Sequence, residues 1–386
     1  MKIVFAGGGT GGHFYPLIAV AEQVRQIARE QRLIAPKLYY MAPSAFDQEA
    51  LFENEIAFIA CPAGKWRRYF SLQNFSDVFV TLGGFFSALM TLFTIYPDVV
   101  FSKGGYASVP IVLAAHWLRI PVIIHESDAK PGRANLMASK FAYRIAVAFD
   151  SAVPFFPAKV RDRIARTGIP IRSAIAQPET DGAAQELGLD PTVPTLLILG
   201  GSSGARNINE VVLSALPDLV ESVNIIHQTG RELFTDVERT AKLILEKSPS
   251  ASRYHPFPYL NTLSMRRASG AADLVLSRAG MTTVAEIALW KKPSILVPIP
   301  ESVSHDQRMN AYAYAHTGAA VVIEEQNLTQ HLLVSEVRRI LADTTLRAAM
   351  SEKSALFANA DAGRIIAEEL VALGLSHEPQ AVEETV

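Results

Sequence analysis

The sequence predicts an α/β fold made of two doubly wound domains, and three observations predict it. Short apolar runs rich in β-branched residues alternate with helical patterns along the chain. Such runs are typical of parallel strands that helices cover on both faces. The alternation restarts near Thr195, after a stretch around residues 177–194 that is rich in Pro, Asp and Gly. The length of 386 residues suits two or three domains at about 150 residues each.

The strand candidates define the domains. They are Lys2–Ala6, Lys37–Met41, Ile56–Ala60, Asp98–Ser102, Pro121–His125 and Arg144–Ala148 in the first half, and Thr195–Leu199, Asn224–His227, Asp273–Ser277, Pro293–Val297 and Ala319–Glu324 in the second. We assign residues 1–170 to the first domain and residues 171–358 to the second, and expect the last helix, about residues 360–375, to return to the first domain. Ligands of open α/β sheets bind beyond the carboxyl ends of the strands, so we expect the two domains to face a cleft.

Composition excludes several classes of function. Apolar residues make up 49% of the chain, which excludes wholesale disorder. The 36 Lys and Arg residues nearly balance the 38 Asp and Glu residues, so no basic excess indicates a nucleic-acid partner. Cys61 is the only cysteine, so no internal disulfide can form, and no Cys/His cluster has the spacing of a metal site. We expect neither a metal nor a cofactor.

One uncharged segment, Val78–Pro97, approaches the length of about 20 residues that spans a bilayer. Gly83 and Gly84 interrupt it, and a basic aromatic cluster, Lys65–Phe70, lies just upstream. A basic cluster beside an apolar helix is typical of a segment that lies on a membrane surface. A buried helix and a true span are the alternatives. The predicted membrane contacts are Lys65, Trp66, Arg67, Arg68, Phe85, Phe86 and Phe93.

The first glycine-rich loop, Ala6–Pro16, stands between a strand and a helix. Gly7, Gly9 and Gly12 fit the GxGxxG pattern, in which glycine lets the main chain approach an anion at a helix N-terminus. A dinucleotide site also needs an acidic residue at the end of the second strand, and none occurs there before Asp47. The missing acid argues against NAD, and a tight turn without function is the other alternative.

Two further glycine-rich loops follow strands of the second half. In Leu197–Asn209 the Ser202 side chain and the glycine amides are suited to a phosphate, or the loop is only a turn. In Leu276–Ala288 the spacing of Thr283 and Glu286 is that of a capping box, which gives Glu286 a structural role. Its functional alternative is to accept hydrogen bonds from a ribose diol.

Six motifs in collinear order resemble the MurG family, the N-acetylglucosaminyltransferases of peptidoglycan synthesis. They are GGTGGH with its proline (Gly8–His13, Pro16), PDVVxxxGGYxSxP (Pro97–Pro110), HExxxxPG (His125–Gly132), GGSxGA (Gly200–Ala205), SRxGxxTxxEI (Ser277–Ile287) and a glutamine ahead of an NA pair (Gln307, Asn310, Ala311). The resemblance extends from Lys2 to about Leu373.

The resemblance implies the GT-B fold and an inverting transfer of GlcNAc from UDP-GlcNAc. The implied acceptor is lipid I, undecaprenyl-diphosphate-linked muramoyl pentapeptide, and the implied product is lipid II with a new β-1,4 bond. It implies a peripheral protein on the cytoplasmic face of the cell membrane. The alternatives are a GT-B transferase that acts on a different membrane lipid, and a non-catalytic nucleotide-sugar-binding subunit. No Asp-x-Asp triplet, the metal clamp of the other common glycosyltransferase fold, occurs in the chain.

Family positions also imply individual roles. His13 is the candidate general base, because an imidazole of near-neutral pKa suits proton removal, and Glu126 is the second candidate. The implied substrate contacts are Thr10, Gly11 and Gly12 at the sugar or the acceptor diphosphate, Ser202 at the donor diphosphate, Arg172, Met281, Thr282, Thr283 and Val284 along the donor, Glu286 at the ribose and Gln307 at the sugar hydroxyls.

Two departures from the family pattern concern the donor. Asp128 stands where the family usually has an amide near the donor sugar, and a carboxylate accepts hydrogen bonds but does not donate them. The apolar residue beside the uracil falls at Leu260, but Pro256 and Pro258 precede it and lack an N–H group, so the register there is open.

Overall fold

The computed structural model describes residues 1–65, 73–201, 204–300 and 305–376, and it forms two compact units. The first unit comprises Met1–Arg172 and the chain from Asn359 onward, and the second comprises Ser173–Ala358. Each unit contains one parallel sheet with helical connections. The structure therefore confirms the predicted class, two doubly wound α/β domains.

The sheet of the first unit has seven strands in the order β3-β2-β1-β4-β5-β6-β7. The strands are β1 (Lys2–Ala6), β2 (Lys37–Ala42), β3 (Ile56–Ala60), β4 (Val99–Ser102), β5 (Val122–Glu126), β6 (Arg144–Val147) and β7 (Ile164–Arg166); the helices are α1 (Gly11–Glu30), α2 (Gln48–Glu53), α3 (Gln73–Ile95), α4 (Val109–Trp117) and α5 (Arg133–Ala138). The order reverses between β1 and β4, where Ala6 pairs with Ser102. Ligands of doubly wound sheets bind at this reversal.

The sheet of the second unit has six strands in the order β10-β9-β8-β11-β12-β13. The strands are β8 (Thr195–Leu199), β9 (Asn224–Gln228), β10 (Tyr254–Phe257), β11 (Leu274–Ser277), β12 (Ser294–Leu296) and β13 (Ala320–Val322); the helices are α6 (Ser173–Ala176), α7 (Ala183–Glu186), α8 (Arg206–Leu219), α9 (Phe234–Ile244), α10 (Thr262–Ala271), α11 (Met281–Leu289), α12 (His305–Ala315), α13 (Gln330–Ala342) and α14 (Thr344–Phe357). This order reverses between β8 and β11, where Leu199 pairs with Ser277.

The last helix, α15 (Ala362–Ser376), packs along α1 within the first unit. A side-chain carbon on Gly363 would lie 3.3 Å from Cγ of Gln23, so the glycine permits close packing of the two helices. An ion pair of 2.8 Å joins Arg364 Nη2 to Glu30 Oε2. The C-terminal helix is therefore part of the first unit.

Two strands were not predicted, and both lie at sheet edges. The edge strand β7 has three residues, and β10 contains Pro256. Proline cannot donate to a sheet ladder and is tolerated at an edge, so no continuous apolar run marks such a strand. The predicted strands are all present, with ends that differ by at most two residues.

Helix α3 presents an apolar stripe to solvent. By length and composition alone it is long and apolar enough to cross a membrane, with 17% of its most apolar window buried. The exposed apolar side chains longer than valine recur at helical spacing and are Phe75, Phe79, Leu82, Phe86, Met90 and Phe93. The opposite face buries Ala88 and Leu92 in the core of the first unit. We call the exposed set the α3 stripe.

Candidate active site

The loop after β1 brings His13 to the carboxyl edge of the first sheet. Gly9 has φ 90°, and a side-chain carbon there would lie 2.8 Å from the ring of Tyr106, so the position requires glycine. Thr10 directly precedes α1, yet its hydroxyl makes no capping hydrogen bond to the helix. Instead, its Oγ1 lies 3.0 Å from Nδ1 of His13. With Nδ1–H as the donor, Nε2 carries the lone pair that accepts a proton.

The second loop of the first sheet packs against the same imidazole. Gly105 follows β4 with φ 77°, and a side-chain carbon there would lie 3.1 Å from Nε2 of His13. Burial, and then the positive charge of Lys103, lower the pKa of His13 to about 4. The near-neutral pKa expected for His13 is therefore wrong. The imidazole is neutral near neutral pH, which is the state that a general base needs, but the low pKa makes it a weaker base than expected.

Lys103 is a candidate functional residue that the sequence analysis missed. It follows β4 directly, is 3% exposed, and its Nζ donates a hydrogen bond to Oγ of Ser127. Burial lowers the pKa of its ammonium group, while the nearby carboxylates of Glu126 and Asp128 oppose that shift. A buried ammonium group is costly, and perturbed groups of this kind cluster at functional sites. The signal in the sequence was a charged residue directly after the apolar run of β4.

Glu126 organises the loop that follows β5. Its Oε1 accepts a hydrogen bond from the N–H of Asp128, and its Oε2 accepts from the N–H of Gly132 and from Nδ2 of Asn135, each at 2.9 Å. Nδ2 of Asn135 also donates to the carbonyl of His125. These bonds fix the path of the chain between β5 and α5. The arrangement favours a structural role for Glu126 over that of the general base.

The substitution Glu126→Gln separates these two roles. We expect it to lower the free energy of unfolding by about 1–3 kcal/mol, because an amide NH2 group would face N–H donors that a carboxylate now satisfies. Denaturant unfolding measures this loss. The acid limb of the pH–rate profile should keep its position, and a lost or displaced limb in a fully folded variant would instead identify Glu126 as the base.

The other predicted residues of the first unit surround the start of α1. Gly11 lies against the rings of Tyr15 and Phe46. The guanidinium of Arg172 stacks on Tyr15, with Cζ 4.1 Å from the ring centroid. Asp128 is half-buried on the loop that Glu126 holds. Thr10, Gly11, Gly12, His13, Glu126, Asp128 and Arg172 thus all belong to the first unit.

In the second unit, the loop after β8 leads into α8. Gly204 has φ 78°, and a side-chain carbon there would lie 2.4 Å from the carbonyl oxygen of Thr229, so only glycine fits. Helix α8 begins at Arg206, and Ala205 before it has no side chain that can cap the helix. The first-turn N–H groups are therefore suited to an anion. Ser202, the predicted diphosphate contact, lies outside the described residues.

Gln228 is a second residue that the sequence analysis missed. It ends β9, is 4% exposed, and its Nε2 donates to the carbonyl of Gly201. Its Oε1 accepts the N–H of Leu260 at 3.0 Å. Gln228 therefore ties the glycine-rich loop to the segment where the uracil contact is predicted. Because the N–H of Leu260 is used in this bond, the main-chain group that Leu260 offers to a base is its carbonyl.

The loop after β11 shows that the predicted capping box is wrong. Helix α11 begins at Met281, so Gly280 is the residue before the helix and Thr283 lies inside its first turn. The spacing of Thr283 and Glu286 matched the motif, but the helix begins earlier because β11 ends at Ser277 and the loop is short. The capping explanation of Glu286, which is half-buried, is thereby removed.

Gln307 reaches the same loop from α12. Its Oε1 accepts the N–H of Ile299 at 3.2 Å, and its Nε2 lies 4.0 Å from the position of a side-chain carbon on Gly280. Of the predicted donor contacts on α11, Met281 and Val284 are buried, whereas Thr282 and Thr283 are half-buried. Gln307 and the start of α11 therefore lie together at the carboxyl edge of the second sheet.

A half-buried ion pair supports these two loops. Arg278, after β11, pairs with Oε2 of Glu325, and Nδ2 of Asn207 in α8 donates to Oε1 of the same carboxylate at 2.8 Å. Arg278 and Glu325 have 16% and 13% of their side chains exposed. This network joins the starts of α8 and α11 through residues that sequence reasoning did not single out.

The structure places the predicted membrane contacts in different environments. Phe86 and Phe93 are exposed on the α3 stripe, whereas Phe85 is half-buried and contacts the ring of Trp117. Lys65 lies over the ring of Tyr106, with Nζ 5.5 Å from the centroid, and so stands beside the glycine-rich loops. Trp66, Arg67 and Arg68 lie outside the described residues.

Comparisons with known proteins agree with this architecture. The N-terminal domain of glycosyltransferase family 28 matches residues 3–147, and the C-terminal domain of that family matches residues 195–365. These two matches fall on the two sheets and include the glycine-rich loops described above.

Two curated relatives carry the name UDP-N-acetylglucosamine--N-acetylmuramyl-(pentapeptide) pyrophosphoryl-undecaprenol N-acetylglucosamine transferase. The one from Treponema denticola is 35% identical over 96% of this chain and 95% of its own length. The one from Halothermothrix orenii is 36% identical over 92% of this chain and 94% of its own length. The crystal structure of Acinetobacter baumannii MurG superposes with a TM-score of 0.71 at 26% identity, over 96% of this chain and 99% of that one. The chain therefore belongs to the MurG family of glycosyltransferases, within glycosyltransferase family 28.

Proposed function

We propose that this protein transfers GlcNAc from UDP-GlcNAc to the 4-hydroxyl of the MurNAc residue of lipid I and so forms lipid II. The observation that carries the proposal is the neutral, oriented imidazole of His13 at the carboxyl edge of the first sheet. The names of the relatives at 35% and 36% identity support the choice of donor and acceptor.

The second unit would bind the donor. The N–H groups at the starts of α8 and α11 face the switch point of its sheet, where they can stabilise the negative charge of a departing diphosphate without a metal. Glu286 would accept hydrogen bonds from the ribose diol, and Ser202 would contact the diphosphate. Gln307 would form hydrogen bonds with the sugar hydroxyls, because an amide both donates and accepts them.

The first unit would bind and activate the acceptor. In a single displacement, the acceptor oxygen forms a bond to the anomeric carbon while the bond from that carbon to the UDP oxygen breaks, which inverts the configuration. His13 Nε2 takes the hydroxyl proton, and Thr10 orients the ring through its contact with Nδ1. Arg172 would contact the donor, and Asp128 is the alternative base.

Transfer of radiolabel from UDP-GlcNAc to a soluble lipid I analogue tests the proposal. Labelled disaccharide product is the expected result. The same assay with diacylglycerol as acceptor tests the alternative transferase. Binding of UDP-GlcNAc without transfer to either acceptor would contradict the enzymatic proposal and leave a nucleotide-sugar-binding subunit.

We also propose that the protein docks on the inner face of the cytoplasmic membrane through the α3 stripe. The stripe exposes phenylalanine side chains, among them Phe86 at 56% and Phe93 at 66%, on one face of a helix. Burial of such a face in the interfacial region of a bilayer is favourable in proportion to its apolar area.

The double substitution Phe86→Ser and Phe93→Ser is expected to lower sedimentation with vesicles about tenfold or more, because two exposed phenylalanines lose their apolar contact. Sedimentation with vesicles of phosphatidylcholine and phosphatidylglycerol measures the effect. Phe52→Ser is the control, since Phe52 is 85% exposed but lies on α2. Equal sedimentation of all three proteins would contradict docking through α3.

A further inference from the structure

Three consecutive residues where β9 ends connect the structures on both sides of that strand. They are His227, Gln228 and Thr229, and we call them the β9 bridge. All three are buried, with at most 4% of their surface exposed. Strand β9 lies between β8 and β10 in the sheet, so the bridge can reach the elements that follow either neighbour. Buried polar groups destabilise a fold unless they form hydrogen bonds, and each residue of the bridge forms them on both sides.

The first and last residues of the bridge join α8 to β10. Nε2 of His227 lies 3.1 Å from Oδ1 of Asn209 in α8, and its Nδ1 lies 3.0 Å from the hydroxyl of Tyr254 in β10. The carbonyl oxygen of Thr229 accepts a hydrogen bond from Nδ2 of Asn209 at 3.0 Å. The N–H of Thr229 donates to the carbonyl oxygen of Phe257 at 2.9 Å. Burial lowers the pKa of His227 to about 3, so the imidazole in this network is neutral near neutral pH.

Gln228 makes the same kind of connection at the carboxyl edge of the sheet. Its main-chain carbonyl accepts the N–H of Gly200 at 3.2 Å, and its Nε2 donates to the carbonyl oxygen of Gly201 at 3.2 Å. Its Oε1 accepts the N–H of Leu260 at 3.0 Å. One amide group therefore holds the glycine-rich loop after β8 and the segment before α10 at a fixed separation, because neither can move away without breaking a hydrogen bond.

The proposed function assigns these two segments to the two ends of the donor nucleotide. The N–H groups at the start of α8 are suited to the diphosphate, and Leu260 lies where the uracil contact is predicted. A ligand with two ends gains full affinity only when the two sites match its span, and a wrong separation lowers the affinity even if each site is intact. A separation that is fixed before binding also lowers the entropic cost.

We propose that Gln228 is a positioning residue for the donor and sets the separation between the diphosphate site and the uracil site to the span of a uridine diphosphate. This inference rests on the proposed function, which assigns the two ends of the donor to these segments. Gln228 acts through Gly201 and Leu260 and does not itself need to contact the donor. Loss of its amide would leave each site in place and release the distance between them.

The substitution Gln228→Met removes both side-chain hydrogen bonds and keeps a side chain of similar length. We expect the affinities for UDP and UDP-GlcNAc, measured by titration calorimetry, to fall about tenfold. The affinities for uridine and for inorganic diphosphate, measured separately by ligand-observed NMR, should change by no more than about twofold. The KM for UDP-GlcNAc should rise while kcat changes less, because the candidate base lies in the first unit.

Asn224→Leu is the matched control. Asn224 is the first residue of the same strand and is 1% exposed, and its Nδ2 donates to the carbonyl oxygens of Asp190 and Val193 at the opposite edge of the sheet. Loss of this amide should lower the melting temperature about as much as Gln228→Met does and leave the affinity for UDP unchanged. Equal losses of UDP affinity in the two variants would overturn the positioning role. Parallel losses for UDP, uridine and diphosphate in Gln228→Met would do the same.

A second variant, Gln228→Glu, provides the test if Gln228→Met does not fold. The carboxylate keeps an acceptor for the N–H of Leu260 but has no donor for the carbonyl oxygen of Gly201. We expect uridine affinity to stay within about twofold and UDP affinity to fall about tenfold or more, because the carboxylate repels that carbonyl and the diphosphate.

Failure of this inference differs from failure of the proposed function. Undiminished UDP affinity in a folded Gln228 variant, with GlcNAc transfer by the parent protein, would contradict the positioning role and leave the proposed function intact. A parent protein that binds neither UDP nor UDP-GlcNAc would contradict the proposed function, and the positioning role with it.

Discussion

The substitution His13→Ala is expected to lower the turnover of GlcNAc transfer about a hundredfold or more, with the affinity for UDP-GlcNAc changed by no more than a few-fold. The reason is that His13 belongs to the first unit, whereas the predicted donor contacts on α11 and α12 belong to the second. Removal of a base that acts only on the acceptor hydroxyl raises the barrier of the chemical step without removing a donor contact. Isothermal titration with UDP-GlcNAc, beside steady-state transfer to a lipid I analogue, measures both quantities.

Two further variants test whether the loss of turnover comes from removal of the His13 imidazole itself. His331→Ala is the control, because His331 is an exposed residue of α13 in the second unit and should leave turnover unchanged. Thr10→Ala removes the partner of Nδ1, so we expect an intermediate loss, about tenfold, as the imidazole loses the contact that orients it. Full turnover by His13→Ala would exclude His13 as the base and leave Asp128 and Glu126 as candidates.

The buried strands could be predicted from the sequence because a strand that is buried on both faces consists mainly of apolar residues. Strands such as Thr195–Leu199 are buried along their whole length, and their apolar runs stand out in the sequence. The edge strands β7 and β10 are half-covered or interrupted by proline, so tertiary pairing rather than local composition makes them strands. The same limit affected the start of α11, where the length of the loop after β11 overrode a spacing that matched a capping motif.

The candidate site could be predicted from the sequence only where it requires backbone dihedral angles or close contacts that glycine alone allows. Glycines such as Gly9 and Gly204 are fixed by left-handed dihedral angles and by contacts that leave no room for a side chain, and this leaves a repeated motif in the sequence. Lys103 and Gln228 leave no such motif, since each is one polar residue at the end of a buried strand. Their importance comes from partners far away in sequence, Ser127 for Lys103 and Leu260 for Gln228.

The second large effect is expected from substitution of Lys103, because its positive charge lowers the pKa of the candidate base His13. A positive charge beside an imidazole disfavours the imidazolium, so Lys103 contributes to the low pKa of His13, about 4 against an ordinary 6.5. A diphosphate that binds near Lys103 would compensate that charge and raise the basicity of His13. His13 would then become a stronger base only when its acceptor is bound.

The substitution Lys103→Met is therefore expected to raise the pKa of His13 and to move the acid limb of kcat/KM to higher pH. Burial, the larger cause of the low pKa, remains in the variant, so we expect only part of the shift to be reversed. For a rise of about one pKa unit, the variant at about pH 5 loses about twofold relative to its own plateau, while the parent protein loses only about a tenth. We also expect the KM for the lipid I analogue to rise, with UDP-GlcNAc affinity unchanged, since the lost charge lies in the first unit. A pH–rate profile between about pH 4.5 and 8.5 measures the shift.

Lys292→Met is the matched control for this experiment, because Lys292 is also a lysine whose ammonium pKa is lowered by burial, but it lies in the second unit and donates to the carbonyl oxygen of Ala272. Loss of a buried ammonium group from either position should alter stability. Only the loss of Lys103 should displace the acid limb, since only that charge acts on His13. An unchanged limb in a folded Lys103→Met variant, or an equal shift in both variants, would contradict electrostatic control of the base and leave Lys103 as a support for Ser127 alone.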